Sequence, residues 1–307
     1  MKKILNLADS NTTGRNFISY KVSKFPDGQQ SIELITESFP VNGEVEIHTR
    51  LNSFKDIELV VCTVAALRNE NIEDISLYSP YFLGGRSDRK FSKGGVNYIK
   101  DVISPIINSL NFKSVTVVDP HSDVLEACIN KFRKIDNVFL VQKALDYLSE
   151  DPKDIVIVSP DAGAMKKIYN VAESIGAENI IIASKHRDIK TGKITHTDVP
   201  SLNNFSNKDN FFIIDDICDG GRTFVEIAKV INSYEWPNGE FFNGKIYLIV
   251  THGIFSAGFD ELSKHFDKIF TTDSICSSNE LDSIIGNDIV KQFSIFITTN
   301  EITNEVF

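Results

Sequence analysis

The sequence predicts an α/β protein of two domains, each built on a mainly parallel β-sheet flanked by helices. The chain has 307 residues, and a typical domain takes about 100–200. Apolar, strand-like runs alternate with helical patterns along both halves, an order typical of parallel sheets covered on both faces. We place the domain boundary in the polar stretch 148–154, which gives domains 1–149 and 150–307.

The individual elements follow from short apolar runs bounded by polar residues. A first strand is expected near the N-terminus, where the apolar stretch stops at Ala8, too early for a signal peptide. Helical patterns cover Val96–Leu110, Ala162–Ile175 and Arg222–Ser233. The other strand-like runs are 57–63, 75–82, 114–119, 137–141, 154–160, 179–184, 211–216, 245–251 and 268–272.

Composition excludes several classes of partner. The net charge of −10 argues against nonspecific binding to nucleic acid, which needs a basic face. No apolar run approaches the roughly 18 residues of a membrane span. The cysteines lack any C-x-x-C spacing, so neither a zinc site nor a redox pair is indicated. We expect a cytoplasmic protein with reduced thiols and no membrane or nucleic-acid partner.

Polar residues follow the strand-like runs, where parallel sheets bind their ligands. An acidic chain must hold an anionic ligand with such local groups. These strand ends are Asp119-Pro120-His121, Pro160-Asp161, Lys185-His186-Arg187, Asp215-Asp216 and Thr251-His252-Gly253.

The segment from Asp215 to Thr223 predicts a sugar-phosphate site. Its two adjacent carboxylates can accept from the two hydroxyls of a ribose diol. A glycine-containing loop then opens a helix whose first amides can bind an anion. A simple alternative is an acidic strand end before an N-capped helix. The candidate residues are Asp215, Asp216, Asp219, Gly220, Gly221, Arg222 and Thr223.

This segment resembles the ribose-phosphate loop of phosphoribosyltransferases and phosphoribosyl diphosphate synthetases. Their pattern places Asp-Thr-Gly/Ala-Gly-Thr two residues after a pair of acids. Here the outer residues Asp219 and Thr223 match, while Gly220 replaces the first Thr and Arg222 replaces the last Gly. The resemblance implies two phosphoribosyltransferase-like domains.

Six further segments, in order, resemble the synthetases in particular. The resemblance implies an ATP-dependent ribose-phosphate diphosphokinase of nucleotide biosynthesis, which makes phosphoribosyl diphosphate and AMP from ribose 5-phosphate. The segments are YKVSKFPDGQQSIEL (20–34), YSPYFLGGRSDRKF (78–91), VVDPHSD (117–123), VSPDAGAMKKI (158–168), SKHRD (184–188) and VTHGIFSAG (250–258).

The resemblance implies roles for the charged strand ends. Lys185 and Arg187 would lie on a flap, with a turn at 191–192, and stabilise the β-phosphoryl group in transit; a solvated basic turn is the simple alternative. His121 and Asp161 would bind a Mg²⁺ ion that bridges ATP phosphates. A hydrogen-bonded histidine at a strand end is the alternative for His121.

The nucleotide site is implied by the resemblance of two loops. Phe25 would stack on the adenine and Asp27 would accept from its amino group, with Gln29 beside them. In the family this loop comes from a neighbouring subunit, so a homo-oligomer with shared sites is implied. A plain hairpin turn explains Pro26 and Gly28 as well. The resemblance implies that Arg86 and Asp88 of the segment 78–91, together with His121, complete the ATP site. Gln29 and Ser87 replace the family's Glu and Gln.

Three alternatives stay open. A phosphoribosyltransferase would share the loop but not the Phe25 and Lys185 segments. A noncatalytic synthetase-like regulator would not need the retained charged residues. The same chemistry on a larger acceptor such as ADP-ribose, in NAD metabolism, is favoured by Gly220 and Arg222, because the change removes a hydroxyl donor and adds a guanidinium.

Overall fold

The computed structural model describes residues 2–10, 12, 14–39, 43–187, 194–284 and 288–296. These residues divide into two compact units. The first comprises the residues up to Asp136 together with 294–296, and the second comprises Asn137–Phe293. None of the described helices combines the length and apolar character that a membrane span requires.

The first unit is a five-stranded parallel sheet with an added hairpin. Its strands are β1 Lys3–Asn6, β2 Tyr20–Lys24, β3 Gln30–Leu34, β4 Glu44–His48, β5 Asp74–Tyr78, β6 Val115–Val118 and β7 Phe132–Ile135. Its helices are α1 Phe54–Asn69, α2 Ser104–Ser109 and α3 Val124–Cys128, with a π-helical turn at Ile99–Ile103 before α2. The sheet order is β1-β4-β5-β6-β7, and β2 pairs with β3 in antiparallel fashion.

Strands and helices of the first unit share one apolar core. Leu5, Ile47 and Leu77 lie on adjacent strands of the sheet and are fully buried. Val60 and Leu67 of α1 belong to the same cluster. Complete burial of large aliphatic side chains, at about 1.5–3 kcal/mol each, stabilises the sheet that positions the loops after β5 and β6.

The second unit is a six-stranded parallel sheet with its own hairpin. Its strands are β8 Ile155–Ser159, β9 Asn179–Ile182, β10 Ser184–Arg187, β11 Ile194–Asp198, β12 Asn210–Cys218, β13 Ile246–Gly253, β14 Lys268–Thr272 and β15 Val290–Phe293. Its helices are α4 Val138–Leu148, α5 Met165–Ile175, α6 Arg222–Ser233 and α7 Ser278–Ile284. The order is β15-β14-β13-β12-β8-β9, and β10 pairs with β11 in antiparallel fashion.

Helices cover both faces of the second sheet. One face packs against α6 through Phe224 and Ile227. The other packs against α4 and α5 through Leu140 and Ile168. Helix α4 therefore belongs to the second unit, although the boundary expected after residue 149 would assign it to the first domain.

The strand order of the second sheet reverses between β8 and β12. The chain leaves β8 for β9 on one side and later returns to the other side of β8 as β12. Ligands of open α/β sheets bind beyond the carboxyl ends of the strands at such a reversal. The residues after β8 and at the end of β12, Asp161 and Asp215-Asp216, lie at this point.

The predicted fold class is confirmed, but two strand predictions are wrong. Residues 57–63 lie within helix α1 and residues 137–141 enter helix α4. Both runs are short, apolar and without a clear period, so a buried helix and a buried strand look alike in sequence. The start of α1 does carry a helix signal, because the Asp56 carboxylate accepts from the Ser53 amide at 2.7 Å.

Candidate active site

The end of strand β12 carries two adjacent carboxylates in a partly buried setting. The Asp215 Oδ1 atom accepts from the Asp216 amide at 2.9 Å. Burial raises the pKa of Asp215 well above its usual value, and the negative charges of Asp216 and Asp161 raise it further. The structure thus brings these three predicted acids close enough to interact. The site therefore concentrates negative charge, and hydroxyl donors or a cation bound there would reduce the repulsion between the carboxylates.

A lysine that the sequence reasoning did not single out faces this acidic pair. Lys167 of α5 places its Nζ atom 3.7 Å from Asp216 Oδ2, and Asp216 is 4% exposed. A buried carboxylate with a nearby ammonium group is more readily kept ionised. Lys167 lies within the segment 158–168, but the sequence of that segment does not indicate a contact with Asp216.

The predicted phosphate loop leads from β12 directly into helix α6. Gly221 precedes the helix with φ 75°, a left-handed conformation that glycine adopts at no steric cost. A Cβ atom at Gly221 would lie 2.9 Å from Leu262 Cδ2. The amides of Arg222 and Thr223 precede the first hydrogen bonds of α6 and can therefore bind an anion, whereas the Phe224 and Val225 amides donate to the Gly221 carbonyl at 3.0 and 3.1 Å. Asp219 and Thr223 are half-buried, and Gly220 and Arg222 are exposed.

Two neighbouring side chains, those of Cys218 and His252, are buried beside the loop. The Cys218 thiol is fully buried, and its burial and two nearby carboxylates raise its pKa to about 12. His252 is buried on β13, and its Nδ1 atom lies 2.9 Å from the Ser274 hydroxyl oxygen. Because both side chains are buried, neither is placed to reach a substrate as a nucleophile or a base.

The predicted flap is an antiparallel hairpin. On strand β10, Lys185 lies opposite Thr197 and Arg187 lies opposite Ile194 of β11. The register shifts between His186 and Arg187, so an extra residue lies on the β11 side. The turn predicted at 191–192 lies outside the described residues.

Asp161, a predicted metal ligand, also holds the turn that precedes helix α5. Its Oδ1 atom accepts from the amides of Gly163 and Ala164 at 3.0 and 3.2 Å. Its carbonyl oxygen accepts from the Ser159 hydroxyl at 2.8 Å. These bonds fix the carboxylate at the carboxyl end of β8.

The predicted adenine-binding loop forms the tip of the β2–β3 hairpin. The Phe25 amide donates to the Gln29 carbonyl, and the Gly28 amide to the Phe25 carbonyl, both at 2.9 Å. The Gln29 amide also donates to Asp27 Oδ1 at 3.2 Å. The Phe25 side chain is 52% exposed. A closed turn therefore presents an aromatic ring outward.

The other predicted nucleotide residues lie in loops after β5 and β6, which are neighbours in the sheet. Arg86 is exposed and Asp88 is half-buried, and the Asp88 carbonyl accepts from Asn97 Nδ2 at 2.7 Å. His121 is exposed and follows the buried Asp119, whose φ is 42°. Both loops thus project from the carboxyl edge of the first sheet.

The carboxylate of Asp161 fits the expected magnesium ion in chemistry. Mg²⁺ takes oxygen ligands, keeps several waters and is usually bound through one or two carboxylates plus substrate phosphates. Asp161 supplies such a carboxylate in the second unit, and His121 lies in the first. Within the described ranges, no three histidine, cysteine or acidic side chains cluster as a preformed cage.

Comparison with known proteins gives consistent relatives. No family model matches the chain. The ribose-phosphate pyrophosphokinase of Vibrio cholerae is 25% identical over 265 residues, 85% of this chain and 80% of that protein. That of Mycoplasmopsis pulmonis is 28% identical over 233 residues, covering 74% and 67%. The crystal structure of phosphoribosylpyrophosphate synthetase from Mycobacterium smegmatis has a TM-score of 0.75 at 14% identity, covering 95% of both chains.

The structural match shows that the two parallel α/β units have the fold of that synthetase, which has two phosphoribosyltransferase-like domains. In sequence the chain is similar to ribose-phosphate pyrophosphokinases, at 25% identity over 85% of its length for the Vibrio cholerae protein and 23% over 83% for that of Pyrococcus furiosus.

Proposed function

We propose that the protein transfers the diphosphate of ATP to the anomeric hydroxyl of a ribose 5-phosphoryl acceptor. By default the acceptor is ribose 5-phosphate, and the products are phosphoribosyl diphosphate and AMP. The observation that carries this proposal is the acidic pair of β12, followed by a glycine loop and a helix start, at the strand-order reversal of the second sheet. A cytoplasmic homo-oligomer fits the same proposal.

The acceptor would bind along the Asp215–Thr223 segment. The carboxylates of Asp215 and Asp216 accept from the ribose diol, and these two hydrogen bonds stabilise the ionised carboxylates against the burial that raises the Asp215 pKa. The first amides of α6 and the Thr223 hydroxyl bind the 5-phosphoryl group. This leaves the anomeric oxygen to attack the β-phosphorus of ATP. The bond between the β-phosphorus and the oxygen that bridges the α- and β-phosphates breaks. AMP leaves, and the hydroxyl proton is released.

Charge stabilisation is assigned to the β10–β11 hairpin. Lys185 and Arg187 are cations on one strand of it, and phosphoryl transfer depends mainly on positioning and on neutralising oxygen charges. Mg²⁺, when bound with ATP through Asp161 and His121, supplies further neutralisation of the phosphates. Phe25, Asp27, Gln29, Arg86, Asp88 and His121 are assigned to ATP, with the hairpin tip acting on an adjacent subunit.

Product identity tests this proposal. The protein is incubated with ATP, Mg²⁺ and ribose 5-phosphate, and mass spectrometry follows AMP and the 1-diphosphorylated sugar. Formation of ADP would indicate γ-phosphoryl transfer and refute the proposal. Consumption of phosphoribosyl diphosphate with a base, without ATP, would indicate a phosphoribosyltransferase. Loss of both activities would favour a noncatalytic regulator.

A specific observation favours a larger acceptor as the second candidate. A Cβ atom at Gly220 would meet nothing nearer than the Ala257 Cβ and Ser256 Oγ atoms, at 3.8 Å. Packing therefore does not require glycine there, and the loop keeps open space that the family fills with a hydroxyl donor. Arg222 is exposed at the helix start beside it. A 5-diphosphate ester such as ADP-ribose could use this space and bind the guanidinium bidentately, which would link the protein to NAD metabolism.

Acceptor preference separates the two candidates. We compare kcat/KM for ribose 5-phosphate and ADP-ribose in the wild type and in a Gly220→Thr, Arg222→Gly double variant. A wild-type preference for ribose 5-phosphate above about 100-fold, or about 2.7 kcal/mol, excludes the larger acceptor. A preference for ADP-ribose that the double variant reverses identifies the loop as the selector.

A further inference from the structure

A serine in the loop after β13 contacts the phosphate loop at two points. The Ser256 amide donates to the Asp219 carbonyl oxygen at 3.1 Å, and the Ser256 hydroxyl donates to Asp219 Oδ1 at 2.5 Å. The second distance is typical of a hydroxyl–carboxylate bond, which is roughly twice as strong as a neutral one. The side chain of Asp219 is therefore held by a residue outside its own loop.

The two residues before this serine also hold the loop in place. The amides of Ile254 and Phe255 donate to the Cys218 carbonyl at 2.9 and 3.1 Å. Phe255 has φ 48°, a conformation that bulky side chains rarely adopt. Its ring is 6% exposed and lies 4.6 Å from the Phe259 ring, centroid to centroid. Because packing fixes this strained residue, three successive amides are held against the phosphate loop.

Ser256 also borders the open space of the loop. Its hydroxyl oxygen lies 3.8 Å from the position that a Cβ atom of Gly220 would take. The serine itself is exposed, whereas Phe255 before it is buried. Its hydroxyl therefore lies on the accessible side of the phosphate loop, beside the start of helix α6.

We propose that Ser256 is a positioning residue for the acceptor. This inference rests on the proposed function, because it names what holds that function's acceptor site in place. The hydroxyl fixes the Asp219 carboxylate, and the adjacent amides fix the loop carbonyls. The amides at the start of α6 are thereby kept in one orientation for the 5-phosphoryl group of the acceptor.

Ser256→Ala tests the role of the hydroxyl alone. A hydrogen bond to a charged group corresponds to about tenfold or more in binding, so KM for the acceptor should rise by at least about tenfold. The kcat at saturation and the KM for ATP should stay within about twofold. Ser256→Thr keeps the hydroxyl and should restore the acceptor KM. Ser263→Ala is the matched control, because that hydroxyl donates to the Asp260 carbonyl at 3.3 Å.

Calorimetric titration with ribose 5-phosphate and with ADP-ribose separates this inference from the proposed function. A Kd raised about tenfold in Ser256→Ala but not in Ser256→Thr supports the positioning role, even if the wild type forms no AMP. That lack of AMP would refute only the proposed function. Equal Kd values in wild type and Ser256→Ala, an equal loss in Ser263→Ala, or no binding by any variant would overturn the inference.

Discussion

Gly221 is the position of the phosphate loop that tolerates a side chain least. Its φ of 75° costs a non-glycine residue about 1–2 kcal/mol. The new Cβ would lie 2.9 Å from Leu262 Cδ2, and Leu262 is 1% exposed, so neighbouring atoms must shift at a further cost of about 1–3 kcal/mol. We therefore expect Gly221→Ala to lower the free energy of unfolding of the second unit by about 2–5 kcal/mol.

Gly220→Ala is the matched control in the same loop. Its Cβ would meet nothing nearer than 3.8 Å and its φ lies outside the left-handed region, so its effect on the free energy of unfolding should stay within about 0.5 kcal/mol. Trp236 is the single tryptophan and shares a core with Leu262, so its fluorescence in urea reports the second unit. Equal losses in both variants, or an unchanged midpoint in Gly221→Ala, would refute the steric reasoning.

Three further outcomes are expected. Lys185→Ala and Arg187→Ala should each lower kcat by about 10²–10³ with ribose 5-phosphate binding retained; full turnover in steady-state kinetics would remove the flap assignment. Mixing an inactive Phe25/Asp27 double variant with an inactive Lys185/Arg187 variant should restore activity through hybrid sites, whereas a fully active monomer by sedimentation would contradict shared sites. Because the folded Cys218 pKa of about 12 exceeds the ordinary 9.0, the protonated thiol stabilises the fold below about pH 9 and this contribution is lost as the pH rises toward 12. Iodoacetamide at pH 8 should then leave it unmodified in the native protein, as peptide mass spectrometry can check.

The fold class could be predicted because it depends on element order. Alternation of strands and helices, together with apolar runs buried on both faces, is enough to indicate parallel sheets. The identity of single elements was less secure. Residues 57–63 and 137–141 are apolar enough for either a strand or a buried helix, and Phe132–Ile135 was not recognised as the strand β7, because two charged residues separate its apolar ends.

The candidate site could be predicted where one segment carries it. Asp215, Asp216 and the glycine loop are contiguous, so their proximity follows from the chain itself. The contacts of Lys167 with Asp216 and of Ser256 with Asp219 depend on which strands are neighbours. Strand order is set by the packing of the whole unit, and no local spacing in the sequence indicates it.

The domain boundary shows the same limit. A polar stretch at 148–154 is a reasonable linker signal, yet helix α4 before it packs on the second sheet. Its four buried residues, Leu140, Val141, Ala144 and Leu145, need an apolar surface that only the tertiary arrangement identifies.

The return of the chain to the first unit has a consequence for protein synthesis. The Ile295 carbonyl accepts from the Tyr78 hydroxyl at 2.9 Å, and the Phe296 ring packs edge-on to Tyr78 and beneath the guanidinium of Arg50. Domains commonly fold in order as they leave the ribosome. Here the first unit cannot complete this cluster until the end of the second has been translated. A nascent chain must therefore carry an unfinished N-terminal unit through most of its synthesis.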